Sequence, residues 1–162
     1  MRAQTTTQNH VLCSAAGGAI LDPRVPWLED DPRVFSSTQD FLEQVWLGLD
    51  YARNRETLRP MIRPLIQRAD IPIVFCHGDT LPKNVLLPGG LEAWREGRST
   101  VCLIDWEYAG WMPLPWDALK ATWLCCEPEN EWLAMMKGVF PESGAELEAD
   151  WQWRLLSNVT IL

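Results

Sequence analysis

FCHGDTLPKNVLLPGG, residues 75–90, sets one of the chain's two histidines directly before Gly-Asp, with an Asn five residues beyond that Asp and apolar runs on either side. Apolar runs bounded by turn-forming residues read as short strands. Ile71 to Phe75 is therefore expected to be a strand ending at this loop, and Val85 to Leu87 a second one ending at the turn Pro-Gly-Gly. LEAWREGRS, residues 91–99, reads as a hairpin-like excursion carrying solvated charges, and Thr100 to Ile104 as a third β run that ends at Asp105.

Working outward, the spacing turns helical on both sides. Ser36, Ser37 or Thr38 can cap a helix with Asp40 in its first turn, whose inner face is Phe41, Leu42, Val45, Trp46 and Leu49. RETLRPMIRPLIQRAD, residues 55–70, reads as a second helix that Pro60 and Pro64 either start late or kink, with Met61, Ile62, Leu65 and Ile66 inward. Downstream, Trp116, Leu119, Trp123 and Leu124, then Trp132, Leu133 and Met136, continue the helical spacing, and Glu142 to Asp150 reads as a solvated helix face. Residues 1–34 read as irregular, because Gly17-Gly18 and prolines 23, 26 and 32 offer turns. The class is α+β, mostly helical, in one domain of 162 residues.

Composition narrows the partners. A net charge of minus 8 argues against a nucleic-acid or anionic-membrane surface, both of which need clustered Lys and Arg. No apolar run approaches the roughly 20 residues of a spanning helix, and VLCSAAGGAIL after TTTQNH makes a poor signal peptide. The cysteines Cys13, Cys76, Cys102, Cys125 and Cys126 are odd in number and lack CxxC spacing, which suits reduced thiols and a cytoplasmic protein. The ten tryptophans are read chiefly as core and turn packing.

Strands that bring Asp79, Asn84 and Asp105 to one edge would build an oxygen-rich pocket of the kind Mg2+ prefers. Phosphoryl transfer needs metal-clamped phosphates and a carboxylate that orients the attacking hydroxyl and accepts its proton. The order Asp, Asn, strand-end Asp supplies those roles as kinases do. The plainer alternative is that Asp79 and Asn84 form a turn pair and that Asp105 is satisfied by backbone N–H groups.

FCHGDTLPKNVLL followed by VCLIDWEYAGWMPLPWDALKA resembles the aminoglycoside phosphotransferase family, the kinase-like branch that includes the choline kinases, and is similar to fungal members with an Ile-Asp-Trp-Glu segment. The resemblance spans roughly residues 18–125, taking in ILDPRVPW and DPRVFSSTQDFLEQV as the linker into the first helix of the larger lobe. It implies a protein-kinase-like fold, ATP and Mg2+ as cofactors, Asp79 as the catalytic base and Asn84 and Asp105 as the metal ligands. It further implies that His77 braces the loop and that Asp117 anchors it from the helix behind, while Lys83, beside Asn84, is the candidate for a nucleotide contact. On that resemblance residues 1–34 are linker-like, and 35–162 are a helical C-lobe with short β-hairpins carrying the catalytic and metal loops.

Two departures stand against this pattern. Leu81 occupies a position that is usually polar or basic in the family. Residues 1–82 contain no lysine and no GxGxxG, since the three lysines are Lys83, Lys120 and Lys137, so the N-lobe half of an ATP site is expected to be absent and the chain truncated. One functional reading is an ATP-dependent phosphotransferase acting on a hydroxyl or amine of an unidentified small molecule, with Glu127, Glu129 and Glu131 available to a cationic substrate. The other is an inactive C-lobe or pseudokinase that binds a protein partner, or itself, through an exposed lobe face. Glu107 is expected to pair with an Arg, and His10 and the sequon at Asn158 to have no role in the site.

Overall fold

Two small antiparallel sheets hold the 77–84 loop between them in this computed structural model, which describes residues 11–25, 31–47, 55–68, 70–125 and 127–157. The strands are β1 (Cys13–Ser14), β2 (Ile73–Cys76), β3 (Val85–Leu86), β4 (Cys102–Leu103) and β5 (Gly110–Pro113). β5 is the central strand of a three-stranded sheet ordered β1-β5-β2, with Cys76 opposite Gly110, and β3 pairs with β4, with Val85 opposite Leu103. The expected strands before and after the loop and before Asp105 are thus present, each shifted or shortened by one to three residues. Gly110 lets β1 close on β5: a Cβ there would lie 2.4 Å from the Cys13 carbonyl oxygen.

The helices are α1 (Thr38–Leu47), α2 (Arg55–Ile66), α3 (Gly90–Arg95), α4 (Trp116–Thr122), α5 (Glu131–Val139) and α6 (Gly144–Ser157). Of the three residues that could cap α1, Ser37 makes the bond, its hydroxyl accepting from the Asp40 N–H at 3.2 Å. Phe41, Leu42, Val45 and Trp46 are all buried as the periodicity requires, while Leu49 lies outside the described residues. Helix α2 runs through Pro60 and Pro64, which sit on its exposed side where water can meet the carbonyls they leave unpaired; Ile62 and Ile66 face the core. Phe41 meets both Phe35 and Trp116 edge-on at 5.3 and 4.9 Å, tying α1 to α4 in the core.

Three sequence expectations need correction, and one strand goes unread in the sequence. Residues 1–34 were expected to be irregular, yet Cys13–Ser14 adds a strand, and Leu12 and Ile20 bridge to Phe35 and Arg33. LEAWREGRS is a short helix rather than a hairpin: Gly89 and Gly90, both at positive φ, turn the chain, and the helix formers that follow bury Ala93. The segment Gly-Trp-Met-Pro at 110–113, with no alternation of its own, is a strand because both of its edges find partners. The stretch Glu142 to Asp150 is not simply a solvated face, for Glu146 and Asp150 are buried and each is met by arginine.

Candidate functional site

Helix α4 anchors the loop. The backbone N–H of His77 donates to Asp117 Oδ2 at 3.2 Å and that of Gly78 donates to Asp117 Oδ1 at 2.9 Å, so one carboxylate holds two successive amides. Gly78 has φ of 80°, and a Cβ on it would stand 2.2 Å from the Tyr108 carbonyl oxygen. Both the backbone conformation and the space therefore require glycine at this position.

His77 spends both ring nitrogens on the loop. Its Nδ1 accepts from the Asp79 N–H at 3.2 Å, which leaves Nε2 to carry the hydrogen and donate to the Ile104 carbonyl at 2.9 Å. The ring is buried and leans on Trp106 at 4.4 Å. Neither nitrogen is available to a substrate, and the histidine links the Asp79 turn to the segment that carries Asp105.

Asp79 and Asn84 are brought together. Pro82 opens a 3-10 turn, Pro82–Asn84, and the Asn84 amide donates from Nδ2 to the Asp79 carbonyl at 2.9 Å and to Asp79 Oδ2 at 2.7 Å. A carbonyl can only accept, so Nδ2 must face Asp79, and the amide oxygen is the atom turned away from that carboxylate. Both residues are buried, and exposed Lys83 places its ammonium 3.5 Å from Asp79 Oδ2. Leu81 is buried.

Asp105 reaches this group through the backbone. The Ile104 N–H donates to the Asn84 carbonyl at 3.1 Å, which fixes the chain just before Asp105 beside the loop. Asp105 is exposed and has φ of 66°, the sole non-glycine residue with positive φ among those described. That left-handed conformation, uncommon outside glycine, marks a position held by its surroundings. Asp79 and Asn84 thus meet through their side chains, Asp105 is tied to them through the Ile104–Asn84 backbone bond, and no group of three or more His, Cys, Asp and Glu side chains suited to a metal occurs among the described residues.

Other expectations resolve differently. Glu107 is exposed, with no arginine ion pair among the described residues, and its charge adds to burial in raising the pKa of the neighbouring Tyr108 phenol. Trp116 is core, Trp111 packs edge-on against Phe75 at 5.5 Å, and Trp106 is partly exposed beside the loop, its indole N–H bonded to the Leu103 carbonyl at 2.9 Å. Glu127, Glu129 and Glu131 are exposed around the start of α5, and His10 and Asn158 lie outside the described residues. Of the cysteines, Cys13, Cys76 and Cys125 are buried, Cys102 is exposed, none of these four is in a disulfide, and Cys126 lies outside the described residues. Among those residues no helix is long and apolar enough to cross a membrane.

The sequence reading missed a buried ionic cluster behind α4. Lys120 Nζ donates to Asp22 Oδ1 at 2.9 Å, and the Arg24 N–H donates to the same oxygen at 2.9 Å. The Arg24 guanidinium bonds the Leu119 carbonyl at 2.5 Å and pairs with Asp150, which also accepts from the Trp46 indole at 2.9 Å and from Arg154 at 3.1 Å. Burial raises the Asp22 pKa and lowers those of Lys120 and Arg24, despite the opposite charges beside them. Asp-Pro-Arg at 22–24 was the available signal, two opposite charges in a segment otherwise rich in apolar and turn residues.

Small antiparallel sheets, a mostly helical body and a His-Gly-Asp loop clamped by a buried acid are compatible with part of a kinase-like fold. The chain belongs to the choline/ethanolamine kinase family, whose model matches residues 34–125, more than half of its length. It is similar to ethanolamine kinase 2 of Mus musculus, 39% identical over 46 residues that make up 28% of this chain and 10% of that protein. No solved structure matches the chain.

Proposed function

We propose that the chain is the helical C-lobe of a small-molecule phosphotransferase, transferring the γ-phosphoryl group of ATP to the hydroxyl of a small acceptor. The observation that carries this reading is the Asp79–Asn84 pair, held from behind by Asp117 and joined to Asp105 through the Asn84–Ile104 backbone bond. Mg2+, when bound, would neutralise phosphate charge, and the Asn84 amide oxygen and the Asp105 carboxylate are the groups that would hold it. Asp79 orients the acceptor hydroxyl and takes its proton. Lys83, already beside that carboxylate, is placed to exchange it for a phosphate oxygen. His77 and Asp117 fix the position of Asp79 and do not themselves meet the acceptor.

A second reading is favoured by one sequence observation, the absence of lysine from residues 1–82. On that reading the chain is a binding module that holds a protein partner, or a second copy, through the face bearing exposed Leu86, Ile104 and Trp106. The two readings separate in an assay of Mg2+-dependent phosphate release from ATP. The phosphotransferase reading expects slow transfer to water that falls about 100-fold or more in Asp79→Asn; equal rates in two folded proteins would leave the binding module.

A further inference from the structure

The 77–84 loop is held from a side that the proposed chemistry does not use. Asp117 grips the His77 and Gly78 amides from α4, and the His77 ring ties Asp79 to Ile104. The remaining contact is steric: the Tyr108 carbonyl lies so close to Gly78 that a Cβ there would stand 2.2 Å from its oxygen. Whatever keeps Tyr108 in that place also decides how firmly Asp79, the next residue after Gly78, is set.

Strand β2 leaves β5 at the pair Cys76 and Gly110, just before the loop begins. β1 follows β5 further. It pairs Cys13 with Trp111 and Ser14 with Gly110, and the Ala15 N–H then donates to the Ala109 carbonyl at 2.7 Å, one residue from Tyr108. Ala109 is buried, so its carbonyl has no ready exchange with water if that donor is lost. At Gly110 a Cβ would stand 2.4 Å from the Cys13 carbonyl oxygen, so residues 108–110 are pressed by Gly78 at one end and by β1 at the other. β1 ends in a turn closed three times over: the Ser14 N–H donates to the Gly18 carbonyl at 3.0 Å, the Gly17 N–H to the Ser14 carbonyl at 2.9 Å and the Gly18 N–H to Ser14 Oγ at 3.1 Å. Residues 15–18 are all exposed. Apolar burial therefore does not offset the entropy of ordering this turn; its bond to Ala109 is what it contributes inward.

We propose that β1 is a positioning strap for the catalytic base: Ala15 and Gly110 hold residues 108–110 so that the Tyr108 carbonyl stays against Gly78 and Asp79 keeps its place. The inference rests on the reading of Asp79 as the base. It extends that reading by giving a segment far upstream in sequence a part in the site, as a positioning element that does not touch the nucleotide or the acceptor.

The test is amide hydrogen exchange, followed by NMR, in the 162-residue chain and its Ala15→Pro variant. Ala15 is the second residue of the turn that Gly17 closes on Ser14, a position proline accepts, so the substitution removes the donor to Ala109 and leaves the turn. The His77 and Gly78 amides should exchange at least about tenfold faster in Ala15→Pro, while amides of α6 such as that of Trp153 keep their wild-type rates. Gly110→Ala, which lifts β1 by a second route, should give the same pattern, and Ala15→Gly, which keeps the donor, should exchange as wild type does. Unchanged Gly78 exchange in folded Ala15→Pro and Gly110→Ala would overturn the proposal. Acceleration by the same factor in the loop and in α6 would overturn it too, since β1 would then contribute only overall stability. Phosphate release from Mg-ATP by the same proteins should fall about tenfold in Ala15→Pro, and equal release with a loosened loop would also overturn the strap. A wild type that releases no phosphate would instead sink the reading of Asp79 as the base, and the exchange rates would still decide whether β1 holds the loop.

Discussion

The catalytic-loop region and the ionic cluster behind it are both buried, polar and dependent on α4, yet they differ in where their partners come from. In the loop, the side chain of His77 meets Asp79 two residues away and Ile104 at a separation of 27, and Asp117 meets Gly78 at 39. In the cluster, Lys120 meets Asp22 at a separation of 98, Trp46 meets Asp150 at 104 and Arg24 meets Asp150 at 126. The loop is a device that the sequence largely spells out in order. The cluster exists only when segments from the two ends of the described chain come together, and it is what fastens residues 22–24 and α6 to the rest.

That difference accounts for what was legible. Ser37, Phe41, Leu42, Val45 and Trp46 followed helix spacing, and His77, Asp79 and Asn84 stood in one short motif and bond one another across two to five residues, whereas Asp117 was legible only through the resemblance. Glu146 and Asp150 were misread as solvated because a carboxylate on a helix is normally exposed, and nothing local announces an arginine 78 or 126 residues away. Strand β5 was hidden for the same kind of reason, since its pairing on both edges, not its own pattern, makes it a strand. The positive φ of Asp105 has no sequence signature, whereas Gly78 stood in view within the quoted motif and only the approach of Tyr108 explains it.

The sharpest way to break the comparison is to remove the hub of the cluster. Asp150→Ala leaves Arg24 buried without its carboxylate and deprives the Trp46 indole of its acceptor, so stability should fall by roughly 3–5 kcal/mol, read as a lower denaturant midpoint. A smaller loss belongs to the loop. Gly78→Ala places a methyl group against the Tyr108 carbonyl at positive φ, which should cost at least roughly 1–3 kcal/mol and shift the His77 ring resonances in NMR, while a thermally unchanged variant would contradict the close approach. Ser37→Ala, which touches neither region, should cost about 1 kcal/mol by thermal melting through loss of the α1 cap.

The smallest effect is a dependence on pH. Burial, with the nearby charges of Glu107, Asp22 and Asp79, raises the Tyr108 phenol above its ordinary pKa. The folded chain then keeps a proton that the unfolded chain has lost, so stability should decline as pH climbs from about 10, and Tyr108→Phe should remove that part of the slope. A slope identical in both proteins would mean that the ring is not held between the loop and the cluster.

The most direct measurement is a calorimetric titration of Mg-ATP into the purified chain beside its Asp105→Asn variant. The phosphotransferase reading predicts saturable binding that requires Mg2+ and disappears with Asp105→Asn. Absence of binding in a folded wild-type chain, or equal binding by the variant, would contradict it.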